Sequence, residues 1–159
     1  ILKSLELLSK NNNKIIFSTH PALLKKLKKL KKINFFKKIV TSIKPLCFTD
    51  YIKLQENSSL IISDSGTLME ESAILNIDSI MIRNSHERPE GMEEGSVMCT
   101  GMSIPRVMSA INILNEQGRM KERTIDRVFD YYPNNVSEKI LRILLSYTDY
   151  VNRVVWKKY

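Results

Sequence analysis

Histidine and cysteine each occur only twice in these 159 residues. Cys47 and Cys99 stand 52 positions apart, with none of the close Cys/His spacing that a zinc site needs. The sequence therefore predicts no metal and no disulfide framework, and two buried thiols suit a reducing, cytoplasmic setting. Glycine is equally scarce, at five residues. That excludes a glycine-rich phosphate loop and a dinucleotide fingerprint, so no nucleotide cofactor is expected from such a motif. No apolar run is long enough to span a bilayer or to act as a signal peptide. Repeats, low-complexity linkers and internal domain boundaries are also missing, which leaves one domain over residues 1–159. A starting methionine is lacking too. The chain opens at Ile1, already inside a helical pattern of Leu2, Leu5, Leu7 and Leu8, and this predicts a piece of a longer protein.

A hydrophobic content of 43% and a charged content of 26% are ordinary for a globular fold. The net charge of +8 is not evenly spread. Eight lysines fall between Lys25 and Lys38, with Leu24, Leu27 and Leu30 at helical spacing among them. Lysines so placed coat the solvent side of an amphipathic helix. Zinc spacings, helix-turn-helix patterns and aromatic-interleaved basic strands are lacking, so neither nucleic acid nor a membrane is the expected partner. A basic module binding DNA or anionic vesicles through this helix stays open as an alternative, testable by its salt sensitivity.

Along the chain, strand-like and helix-like patterns alternate. Helices are predicted at 1–10, 21–32, around Tyr51 to Gln55, at 66–75 and at 103–117, the last with Ser103 as cap and Pro105 in its first turn. Strands are predicted at 14–18, 38–43, 59–63, 79–83 and 96–100. Such alternation predicts an α/β fold, a parallel sheet with helices on both faces. A long closing helix should start at Val136, with Asn135 and Glu138 as a capping-box-like pair. Its apolar residues, from Ile140 to Trp156, cover more of the circumference than one core face requires. Its last two turns, around Val151 to Trp156, are therefore expected to pack poorly on this chain.

Ligands of parallel α/β folds bind beyond the carboxyl ends of the strands. Two polar knots occupy such places. In SLIIS-DSGT-LMEESAIL, the residues Ser65, Gly66 and Thr67 bring backbone N–H groups and two hydroxyls to a helix N-terminus, whose dipole favours an anion. Glu70 and Glu71 follow, and one of them can reach a polyol such as ribose. A plain Asp/Ser cap explains the same residues. The second knot, SHERPEG, follows the strand at 79–83, with Pro89 suited to a first helical turn. Arg88 there is either an anion clamp facing the DSGT turn or part of a salt-bridge cluster with Glu87 and Glu90. His86 reads as a structural hydrogen-bonder.

DSGTLMEES followed by HERPEG resembles the carboxyl-terminal domain of the non-hydrolysing UDP-N-acetylglucosamine 2-epimerases, whose pattern there is DSGG-x-x-EE and then T-E-R-P-E. The likeness extends through FSTHP, KPLCFTDYIKLQ and YTDYVNRVVWKK, nearly the whole chain. Thr67 in place of the second glycine, and HERPEG in place of TTERPE, look more like the branch acting on UDP-linked 6-deoxy amino sugars, including the UDP-N-acetyl-L-fucosamine synthases. The resemblance implies the carboxyl-terminal, Rossmann-like half of a two-domain GT-B-type enzyme. It matches Ser65, Gly66 and Thr67 to the turn holding the UDP diphosphate, Glu71 to the ribose contact and Arg88 to the arginine of the nucleotide site. Tyr51 falls beside the uracil and Leu46 where the main chain reads the base edge, while His20 matches a histidine near the allosteric UDP-sugar site of some members, and His86 is a further allosteric or accessory candidate.

The implied chemistry is anti-elimination of UDP followed by re-addition with C2 inverted, in a homodimer without cofactor. Elimination needs a base for the C2 proton and support for the departing charge. By the same resemblance the acid–base carboxylates lie in an amino-terminal domain and a histidine falls just before Ile1. No catalytic residue is therefore expected among these residues, only nucleotide binding. The closing helix, 135–159, is expected to cross the hinge onto that other domain. A GT-B glycosyltransferase is the alternative of a second class, and transfer to an acceptor would reveal it.

Overall fold

Parallel strands and helices alternate along the chain in the computed structural model, which describes residues 2–10, 13–85, 87–117 and 125–158. In order they are α1 (Leu2–Lys10), β1 (Ile16–Ser18), α2 (Pro21–Lys29), α3 (Ile33–Ile39), β2 (Thr41–Ile43), α4 (Phe48–Glu56), β3 (Ile61–Ser63) and α5 (Leu68–Leu75). Then follow β4 (Ser79–Met81), α6 (Pro89–Glu93), β5 (Met98–Cys99), α7 (Ile104–Gln117), a 3-10 turn (Phe129–Tyr131), α8 (Val136–Tyr150) and a π-helical turn (Val151–Val155).

β1 pairs with β2, and β3, β4 and β5 form a second ladder in that order, every pair parallel. Parallel pairing puts the carboxyl ends of each ladder on one edge, where the loops into the next helices gather. Successive strand residues point to opposite faces. Ile80 accordingly joins Leu8 of α1 and Val107, Ala110, Ile111 and Leu114 of α7, while Met81 joins Leu68 and Met69 of α5 and Val97. Helices thus cover both faces of β4, as the near-continuous apolar run SIMI requires. A third cluster places Leu5, Leu27, Phe36 and Val40 around β1, and Ile15 packs against both it and the first cluster, joining the two. This is the expected Rossmann-like α/β arrangement.

Four details depart from the sequence expectation. Residues 33–39 form an additional helix that takes in Lys38 and Ile39, the expected start of the strand, which is confined to Thr41–Ile43. Phe36 explains it: helical spacing carries this ring to a fully buried position, edge-on to Phe17 with ring centres 5.2 Å apart. The lysine-rich stretch is broken at Lys31, which takes a left-handed φ of 53°, and so forms two helices instead of one. Leu27 alone of its leucines is buried, with Leu30 57% exposed. Asn135 stands at the start of α8 without a side-chain cap bond, so no capping box forms.

The exposure of α8 exceeds the expectation. No described residue from Val136 to Val155 is buried, and Leu145 and Trp156 are 77% and 62% exposed. Apolar residues on several sides face solvent from the first turn onward, not only in the last two.

Candidate functional site

β3 ends at Ser63, and the chain turns through residues 64–67 into α5. The Ser65 N–H donates to Ser63 Oγ at 3.0 Å, while the Leu68 and Met69 N–H groups return to the Ser65 and Gly66 carbonyls, each at 3.3 Å. The N–H groups of Gly66 and Thr67 donate to no acceptor among the described residues. Thr67 holds the N-cap position but makes no side-chain cap bond. Its hydroxyl lies 2.9 Å from Ser65 Oγ and donates to Glu71 Oε1, also at 2.9 Å. The turn therefore keeps amides and hydroxyls together at a helix N-terminus instead of using them up as a cap.

Two guanidiniums converge on this turn. A Cβ placed on Gly66 would meet Arg88 Nη1 at 2.8 Å and Arg83 Nη1 at 3.4 Å. The missing methyl is what lets both lie against the backbone. Arg88, entering α6, donates through Nε to Glu70 Oε1, and both side chains are largely covered. This bond holds the guanidinium charged and fixes its plane. Arg83, at the carboxyl end of β4, reaches Glu87 at 3.5 Å, on a glutamate side chain that is 74% exposed. The expected cluster of Arg88 with Glu87 and Glu90 does not form: Arg88 pairs with Glu70 of α5, Glu87 with Arg83, and Glu90 accepts from Tyr131. Arg88 does lie against the DSGT turn.

Glu71 closes the other side. Its Oε2 accepts from Tyr51 at 3.4 Å and from Gln55 Nε2 at 2.5 Å, both on α4. Burial first, and then the Glu71 charge, raise the Tyr51 hydroxyl above the ordinary tyrosine pKa and keep it a donor. The structure thereby brings together Ser65, Gly66, Thr67, Glu71, Tyr51 and Arg88. Sequence reasoning missed Arg83 and Gln55. Arg83 was signalled by its place at a strand's carboxyl end, and Gln55 by its spacing of one helical turn from Tyr51.

Leu46 lies half-exposed in the loop between β2 and α4, with no side-chain tie to this group among the described residues. His20 follows β1 and caps α2, its Nδ1 accepting the Ala22 N–H at 3.2 Å. His86 lies outside the described residues. The loops after β4 and β5 interlock at Gly101 (φ +60°), whose missing Cβ leaves room for Asn84 Oδ1. No cluster of three or more His, Cys, Asp or Glu side chains suited to a metal exists among the described residues. A hollow of about 210 Å³ lined by Ala73, Ile74, Arg127, Val128, Tyr131 and Tyr132 sits at the far end of α5 and lacks this polar set.

Fold and site together define a parallel α/β domain whose strand ends present two guanidiniums, backbone amides, hydroxyls and a carboxylate: groups for an anion on one side and sugar-like hydroxyls on the other. A sequence profile described as UDP-N-acetylglucosamine 2-epimerase matches residues 1–145. The chain belongs to that family. The UDP-N-acetylglucosamine 2-epimerase of Methanocaldococcus jannaschii is 32% identical over 136 residues, which are 82% of this chain and 34% of that protein. A solved UDP-N-acetylglucosamine 2-epimerase from Rickettsia bellii superposes with a TM-score of 0.86 at 45% identity, covering 99% of this chain and 43% of the other. The crystal structure of the M. jannaschii UDP-GlcNAc 2-epimerase in complex with UDP-GlcNAc and UDP superposes with a TM-score of 0.77 at 29% identity, over 91% of this chain and 39% of that one. The present chain thus spans well under half the length of these relatives.

Proposed function

We propose that the protein epimerises C2 of a UDP-N-acetylhexosamine and that this chain supplies the UDP-binding half of the enzyme. One observation carries the reading: in a chain of this family, the Arg88 and Arg83 guanidiniums lie against Gly66, in a turn whose Gly66 and Thr67 N–H groups donate to no acceptor among the described residues, while Glu71 and Tyr51 stand beside it. The diphosphate lies in the turn of Ser65, Gly66 and Thr67, on the amides and Arg88. Glu71 accepts from the ribose hydroxyls, Tyr51 borders the uracil, and the main chain at Leu46 reads the base edge.

In the reaction UDP leaves by anti-elimination as a proton is taken from C2, and it re-adds with the configuration at C2 inverted. The arginines and the α5 N-terminus stabilise the charge that grows on the departing diphosphate. The base and acid come from a second domain of a GT-B-type architecture, onto which α8 packs across the hinge. His20 is an accessory position near a second UDP-sugar site, and His86 an accessory candidate. The sugar is UDP-N-acetylglucosamine or a UDP-linked 6-deoxy amino sugar, and the assembly is a cytoplasmic homodimer.

NMR of candidate UDP-sugars in D2O tests the activity: deuterium should enter C2 as the epimer accumulates, and turnover without C2 exchange would exclude elimination. Calorimetry tests the site. Arg88→Ala should weaken UDP binding by about 1.5–3 kcal/mol, the range for a lost charge-assisted hydrogen bond. Because that change also strands Glu70, Arg88→Lys is the companion variant, keeping the charge but losing the planar fork. Unchanged affinity in both removes Arg88 from the site.

A further inference from the structure

We infer that Gln55 is a positioning residue that aims the Glu71 carboxylate at the ribose; the inference rests on the UDP reading above and adds a residue to it. Gln55 lies one turn beyond Tyr51 on α4 and is 3% exposed. Its Nε2 donates to Glu71 Oε2 at 2.5 Å, the same oxygen that accepts from the Tyr51 hydroxyl. The Thr67 hydroxyl donates to the other oxygen, Oε1. A carboxylate offers roughly four acceptor positions. Two donors from α4 pin Oε2, so Oε1, the oxygen on the side of the DSGT turn, presents the remaining position.

The other end of the amide shows that packing alone does not account for this residue. Gln55 Oε1 is buried and accepts no hydrogen bond among the described residues. A desolvated, unpaired carbonyl weakens a fold, and an unbranched apolar side chain of similar size would fill the same space without that penalty. Gln55 contributes through its nitrogen, by holding the carboxylate in one rotamer. Tyr51, at 3.4 Å, is the looser of the two α4 donors and does not substitute for it.

The test compares UDP with 2′,3′-dideoxy-UDP, which lacks the hydroxyls Glu71 would meet. In Gln55→Met, UDP should bind about tenfold more weakly, as for a misplaced charge-assisted bond, dideoxy-UDP should bind as before, and the melting temperature should stay level or rise. In a Glu71→Gln background the same change should have no further effect. Equal weakening of both nucleotides would show a merely structural residue, and unchanged UDP affinity would show no role; either overturns the inference. Failure of the underlying reading shows separately, as a parent protein that does not bind UDP or does not distinguish it from the dideoxy compound.

Discussion

One methyl group added at Gly66 or at Gly91 meets two different surroundings. At Gly66 the obstacles are the ends of the Arg88 and Arg83 side chains, which can swing away. Gly66→Ala should therefore leave the melting temperature nearly unchanged and weaken UDP by displacing both cations from the backbone. At Gly91 the obstacle is Met69 Cγ, 2.2 Å from the added carbon, on a side chain with no exposure and with the Tyr131 hydroxyl close behind. Gly91→Ala should cost about 1–3 kcal/mol, as overpacked cores do, visible in denaturant unfolding. The reverse pattern would mean that the turn, not the α5–α6 contact, is the rigid part. Residue by residue, Ser65, Thr67 and Glu71 were legible because they belong to one short stretch whose strand–turn–helix order fixes their neighbours. The pairing of Glu70 with Arg88 and of Glu71 with Gln55 spans 18 and 16 positions and depends on how α4 and α6 lean on α5, which no local pattern encodes.

Elements are joined by a few buried polar contacts. The Ser72 hydroxyl, fully buried on α5, lies 2.8 Å from the Ile77 carbonyl and 2.7 Å from that of Ser96. Ser72→Ala removes that donor from a dry site and should destabilise by about 1–3 kcal/mol. Tyr131, in the 3-10 turn, donates to Glu90 Oε1 of α6 at 2.9 Å. Burial first, and then that bond and the Glu90 charge, hold its hydroxyl far above the ordinary pKa of 10.0. The folded state then keeps a proton that the unfolded chain loses, so this contribution is complete below pH 10 and drains away as the pH rises beyond it. Thermal melts should show a loss of stability in that alkaline range which Tyr131→Phe reduces. Periodicity located most helices and strands, yet it leaves residues 33–37 unassigned and extends the following strand over the last two residues of α3. The Ile39–Val40 pair is β-branched, and the burial of Phe36 against Phe17, a tertiary contact, decides against that local preference.

For the molecule as a whole, α8 is the element without a core. A 15-residue helix with no buried side chain rests on its own hydrogen bonds and on marginal propensity. Amides of residues 140–150 should exchange much faster than those of α7 in dilute solution, and gain protection as concentration rises or a second domain covers the helix. Strong protection there in a demonstrably monomeric sample would contradict this. The apolar circumference of that helix was visible in the sequence. The lack of any buried side chain along it was not, because period and composition report which residues seek cover, not whether a surface stands within reach.

The π turn at Val151–Val155 has a consequence for insertions and deletions. Trp156 N–H bonds back to Val151, a five-residue step, and Lys157 then ends the helix with a φ of 50°. A π turn amounts to an α-helix that has absorbed one extra residue. Deleting a residue between 151 and 155 can therefore be taken up by tightening the turn, with the helix intact and the facing of Trp156 preserved. The same deletion at Leu144 would rotate every later side chain by about 100°.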